Sequence, residues 1–106
     1  MADQDTGPAE KEFADFIEKQ KQHFKAKCDA GEGDACLELV RLLWTAEKDD
    51  TSAFKVLTEA CDKLKHGDCC YYAGLLQYEG RGVTRDIPAA ATRLDRACRQ
   101  GAGDAC

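Results

Sequence analysis

Cysteine returns along this chain in pairs, and each pair frames the same short phrase. The three segments are CDAGEGDAC at 28–36, CDKLKHGDCC at 61–70 and CRQGAGDAC at 98–106. Each has an opening Cys, a mostly polar stretch, Gly-Asp, a small residue and a closing Cys. Alignment on Gly33-Asp34, Gly67-Asp68 and Gly103-Asp104 sets Cys70 in register with Cys36 and Cys106. It leaves Cys69 where the other units carry Ala35 and Ala105. Opening cysteines recur after 33 and 37 residues, closing ones after 34 and 36. A period of about 34 residues is that of helical-hairpin solenoids. The spacing therefore predicts an all-α chain built as a helical-hairpin solenoid.

The residues between the cysteines read as pairs of helices. Asp34 is placed to cap a helix over about 35–47, with Leu39, Val40, Leu42, Leu43 and Trp44 as its apolar positions. Asp49 or Thr51 then caps a second helix reaching Leu64, in which Phe54, Leu57, Ala60, Cys61 and Leu64 share one stripe. Asp68 opens the next helix, at about 69–79, and the glycine-rich GRGVTRD (80–86) interrupts it. Asp86 caps the last helix, with Pro88 tolerated in its first turn. The resulting plan has a disordered terminus at 1–8, an opening helix at 9–30, units at 34–64 and 68–100, and a truncated unit from 104. Phe13, Phe16, Ile17 and Phe24 fall on one face of the opening helix, which predicts that this stripe packs on the first unit.

Net charge is −5, from 15 Lys and Arg against 20 Asp and Glu, which argues against nucleic acid as a partner. No apolar run approaches the ~20 residues of a membrane span, so membrane insertion is not expected. Aromatic residues make up only 8% of the chain, so its core needs help from elsewhere.

Seven cysteines supply a candidate. Each opening Cys falls in the last turn of one helix and each closing Cys in the first turn of the next. Bridges Cys28–Cys36, Cys61–Cys70 and Cys98–Cys106 would staple neighbouring helices, each stabilising by about 2.5 kcal/mol in the chain-entropy picture. Two other readings stand beside this one. Buried free cysteines pack as small apolar side chains. Metal binding has His66-x-x-Cys69, with no second pair to complete a four-ligand site, and no metal or cofactor is expected. Cys69 is the thiol left over. It either substitutes for the small Ala of the other units or is a free thiol activated by a helix N-terminus.

The segment AGLLQYEGRGVTRDIPAAATRLDRAC (73–98) resembles the Sel-one-like repeat, itself similar to the TPR. Ala73-Gly74, Tyr78, Gly80, Gly82-Val83, Asp86, Ala90 and Ala97 hold the positions of that pattern. Gly74 lets two helices approach, Gly80 and Gly82 permit the turn, and Asp86 caps. The first unit departs from it, with Val40 in place of the small glycine and Ala46 in place of Gly80. The cysteine-paired subset of these repeats has a bacterial secreted branch, described as penicillin-binding or β-lactamase-like, and a mitochondrial branch serving respiratory-chain assembly. The opening helix EKEFADFIEKQ, the degenerate first unit and the longer Cys61–Cys70 spacing make this chain more similar to the second.

That resemblance implies a non-enzymatic scaffold for assembly of respiratory-chain complexes, chiefly cytochrome c oxidase. Its partners would be proteins, among them respiratory-chain assembly components, and the chain itself is expected to be a monomer. Paired cysteines ask for an oxidising space, and the start MADQDTGPAEKEF carries no secretory pattern; the mitochondrial intermembrane space satisfies both. Trp44, Tyr71, Tyr72 and Tyr78 are the candidate partner-binding residues, with inter-repeat core as their competing role. The alternative is thiol-disulfide or haem chemistry through Cys69, with His66 beside it. Ser52-Ala53-Phe54-Lys55 matches S-x-x-K, yet the S-D-N and K-T-G companions of a β-lactamase are missing, so no catalytic residue is assigned.

Overall fold

The computed structural model describes residues 2–103 and Cys106, with side chains from Ala9 onward. Five helices follow one another: α1 (Ala2–Asp29), α2 (Gly33–Thr45), α3 (Asp50–Leu64), α4 (Gly67–Glu79) and α5 (Ile87–Arg99). No strand occurs among the described residues. Asp104, placed by the sequence at the opening of a third unit, lies outside them. Backbone at 2–8, read from the sequence as a disordered terminus, is continuous with α1.

Neighbouring helices in the chain pack on each other, giving an elongated body of 52 × 28 × 19 Å. Its core is built from small pieces. Cys36, Leu39, Val40 and Leu43 of α2 meet Ala53, Leu57 and Ala60 of α3, and Cys69, Ala73 and Leu76 of α4 close over them. Spacings of three, four and seven residues place each set on one helical face. A second, smaller cluster joins Cys61, Cys70, Ala97 and Ala102, with Tyr71 against it. Four of the seven largest fully buried side chains are cysteines, so sulfur fills space that aromatic rings occupy in other cores.

Disulfides join Cys28 to Cys36, Cys61 to Cys70 and Cys98 to Cys106, with Cα–Cα separations of 4.6, 4.6 and 5.0 Å. Each links the end of one helix to the chain just past the connecting turn.

Two helix starts differ from the sequence reading. Asp34 and Asp68 do not cap; each lies in the first turn, and the capping positions are Glu32 and His66. His66 Nδ1 accepts from the Cys69 N–H at 3.3 Å, which leaves the Nε2 proton to be donated to Asp34 at 3.1 Å. The glycines of the first two Gly-Asp pairs serve close packing. A Cβ on Gly33 would overlap the His66 ring, and one on Gly67 would sit 2.9 Å from the Gln100 carbonyl oxygen. Successive turns therefore nest on each other one repeat apart, at a distance that only glycine permits. Asp49 and Asp86 do cap, accepting from Ser52 N–H and Ala89 N–H at 3.0 Å each.

The opening helix also departs from expectation. Phe24 packs against the core, but Phe13 and Phe16 are 64% and 55% exposed. Length explains this: α1 has 28 residues and its partner α2 has 13, so at about 1.5 Å per residue α1 outruns α2 by some 22 Å. Lys21 bonds Glu47 at 2.6 Å just past the end of α2, and α1 runs on beyond that point with Ala46 and Glu47 beside its next turns.

The turn at 80–86 is fixed by a close approach. Gly82 has φ +71°, and a Cβ there would overlap the Asp50 carbonyl at the start of α3, which Arg81 also grips through the Asp50 carboxylate at 3.1 Å. Gly101 has φ +98° with open space around it. Gly82→Ala should therefore cost more than about 2 kcal/mol and Gly101→Ala only about 1 kcal/mol, read from urea unfolding midpoints. Equal losses would show that the contact with α3 contributes nothing.

Candidate functional site: an aromatic groove between α2 and α4

The first helix of each unit supplies one wall of a groove. Leu37, Val40, Arg41 and Trp44 come from α2, and Asp68 and Tyr72 from α4. Residues 37, 40, 41 and 44 recur at helical spacing, so one stripe of α2 lies along the groove. Trp44 meets Tyr72 edge to face at 5.8 Å between centroids, and Tyr72 meets Tyr71 in the same manner at 5.2 Å. Such pairs hold aromatic rings in place beyond simple burial. Arg81 stands 5.8 Å over the Trp44 ring and sets a cation against this aromatic row.

Three of the four aromatic residues singled out from the sequence thus come together, with divided roles. Trp44 packs against the first core cluster and Tyr71 against the second, while Tyr72 remains 37% exposed along the groove. Tyr78 stands apart, 51% exposed and stacked by Arg85 at 5.7 Å. Leu37, Arg41 and Asp68 were missed by the sequence reading. For two of them the signal was present, since Leu37 and Arg41 lie two turns and one turn before Trp44 on the same stripe.

Cys69 does not occupy the groove. It is fully buried in the first core cluster, its Sγ 4.0 Å from the Gly33 carbonyl oxygen. Burial foremost, then the nearby Asp68 and Asp34 carboxylates, push its pKa up to about 12. This reverses the activated-thiol reading: the helix N-terminus is outweighed by loss of solvent, and the thiol stays protonated at neutral pH. His66 is held by Asp34 and the Cys69 N–H. Among the described residues no group of three or more His, Cys, Asp or Glu side chains is placed to hold a metal ion. Ser52 has its N–H engaged by the Asp49 cap.

No family model matches the chain. Among solved structures, the Helicobacter pylori cysteine rich protein B superposes with a TM-score of 0.77 and 30% identity, over 84% of this chain and 68% of that one. It shares the helical-hairpin repeat. The chain belongs to the cysteine-paired Sel-one-like repeat proteins. Curated relatives of this Sel-one-like chain include the cytochrome c oxidase assembly factor 7 of Mus musculus and that of Homo sapiens. Each is 31% identical over 93 residues, covering 86% of this chain and 40% of the relative. The chain thus spans less than half the length of the curated relatives it matches.

In the Sel-one-like pattern, Gly74 has its packing role here: a Cβ would lie 2.9 Å from Leu94 Cγ and 3.3 Å from the Ala90 carbonyl oxygen, so α4 and α5 touch at that point. In the first unit Val40 stands at the equivalent place and is itself core.

A test of Cys69 follows from its raised pKa. The unfolded thiol ionises near its ordinary value while the folded one holds its proton to about 12. Between those values the native state binds more protons, so this group's contribution to stability falls as pH rises. The stability gap between the wild type and Cys69→Ala should shrink from pH 8 to pH 11 in urea titrations. Iodoacetamide should label Cys69 only after denaturation; rapid labelling of the native chain would contradict the burial.

Proposed function

We propose that this chain is a non-enzymatic assembly factor of the mitochondrial intermembrane space, acting in the building of respiratory-chain complexes, chiefly cytochrome c oxidase. The groove between α2 and α4 receives a segment of a partner protein. The observation that carries this reading is the row of Leu37, Arg41, Trp44 and Tyr72, an apolar and aromatic strip with a charge at its edge. Rigid aromatic anchors beside adaptable polar groups are what protein recognition uses most. The names of the curated relatives supply the biological setting, and three disulfides are compatible with an oxidising compartment. No helix among the described residues is long and apolar enough to cross a membrane. Thiol or haem chemistry at Cys69 is disfavoured by the burial of its sulfur.

A photo-crosslinking amino acid at Leu37 or Arg41, introduced into the chain in its own cells, should capture components of cytochrome c oxidase assembly. The same group at exposed Thr92 of α5 should not. Removal of the chain should lower assembled cytochrome c oxidase on native gels, and Leu37→Ala/Tyr72→Ala should restore it less well than wild type. An unchanged level of the assembled enzyme would sink the proposed role. Full rescue by the groove variant would instead move the binding surface elsewhere.

A further inference from the structure

The projecting half of α1 carries a second surface, on a helix other than the two that form the groove. Beyond the Lys21–Glu47 contact, Phe13 and Phe16 stand largely in water while Ile17 is half-buried. Phe13, Ala14, Ile17, Glu18, Ala46 and Glu47 line a shallow recess where α1 leaves α2. Two phenylalanines left exposed on one helical face are a heavy forfeit for a chain with so few aromatic residues, and such patches mark interaction sites.

Charge selects the occupant. At about 100° per residue, Ala9, Phe13, Phe16 and Ile17 fall within one face of the helix. The charged residues that border this face are Glu10 on one side and Glu12 on the other toward the free end, with Lys19 following on the Glu12 side nearer α2. Lys11 lies on the back of the helix. Around Phe13 the face is thus an apolar strip with two acidic rims, all of it exposed except Ile17. A second copy docking through the same half would set Glu10 and Glu12 against their own counterparts. An anionic lipid surface would meet the same repulsion. A helix with an apolar stripe and lysine or arginine at its edges satisfies both the strip and the rims. We propose that the projecting half of α1 docks a basic amphipathic helix of another protein.

The probe is a capped synthetic helix of leucine and lysine in amphipathic order, with a twin in which glutamate replaces lysine. Fluorescence anisotropy with the full chain should show the lysine peptide binding at least about tenfold more tightly than its twin, with the preference shrinking in 0.5 M salt. Phe13→Ala/Phe16→Ala should weaken binding by about tenfold or more. Glu10→Lys/Glu12→Lys should invert the preference, and Tyr72→Ala should leave it unchanged. All of these positions are solvent-facing, and far-UV circular dichroism checks that the helices persist. Equal affinity for the two peptides, or no effect of the phenylalanine variant, would overturn the proposal. So would a dimer in sedimentation velocity, or binding to anionic vesicles, that the phenylalanine variant abolishes.

Discussion

Cys61 and Cys70 join the last turn of α3 to the first turn of α4, and both are fully buried. That bond sits where one repeat hands over to the next, and the rest of the fold is arranged around such junctions. A solenoid gains its stability from contacts between neighbouring units, and here few large apolar side chains are available to make them. Leu57, Leu76 and Val40 are the largest apolar side chains fully enclosed. Covalent closure of short loops limits the freedom of the unfolded chain at the α1–α2 and α3–α4 junctions.

The non-covalent contacts between units keep the same rhythm. His66 reaches Asp34 across 32 residues, Arg81 reaches Asp50 across 31, and Arg96 reaches Asp62 across 34. Each spans about one repeat, so polar pairing restates the period that the cysteines announce. These pairs are partly exposed and each contributes little alone. Their common effect is to fix the rotation of one unit on the next, and this rotation sets how Trp44 on α2 meets Tyr72 on α4.

Much of this was legible in the sequence. The helix order, the caps at Asp49 and Asp86 and the close approach at Gly74 follow from short-range chemistry that needs no knowledge of the partner element. What escaped depended on what stood opposite. Asp34 and Asp68 look like caps, but the residues before them already start their helices, and His66 supplies a cap that propensity ranks low. The stripe of Phe13, Phe16, Ile17 and Phe24 is amphipathic whether or not a neighbour covers it; only the length of α2 decides. Cys69 illustrates the same limit, since a helix N-terminus was visible in the sequence and complete burial was not.

Oxidation of the chain during folding faces an uneven set of choices. The bridges Cys28–Cys36 and Cys98–Cys106 each close over a separation of eight residues, whereas Cys61–Cys70 closes over nine. Cys69 stands eight residues from Cys61, the separation the other two bridges use. Most mispairings would have to close loops of 25 residues or more, at a higher entropic cost. The rival ring through Cys69 carries no such handicap. Selection between the two sulfurs therefore falls to tertiary packing, because a bridge from Cys69 would pull it out of the cluster formed by Leu39, Leu57 and Ala73 and leave Cys70 with the odd thiol. Fidelity of disulfide formation at this junction thus rests on the cluster that seats Cys69, which α2, α3 and α4 build together.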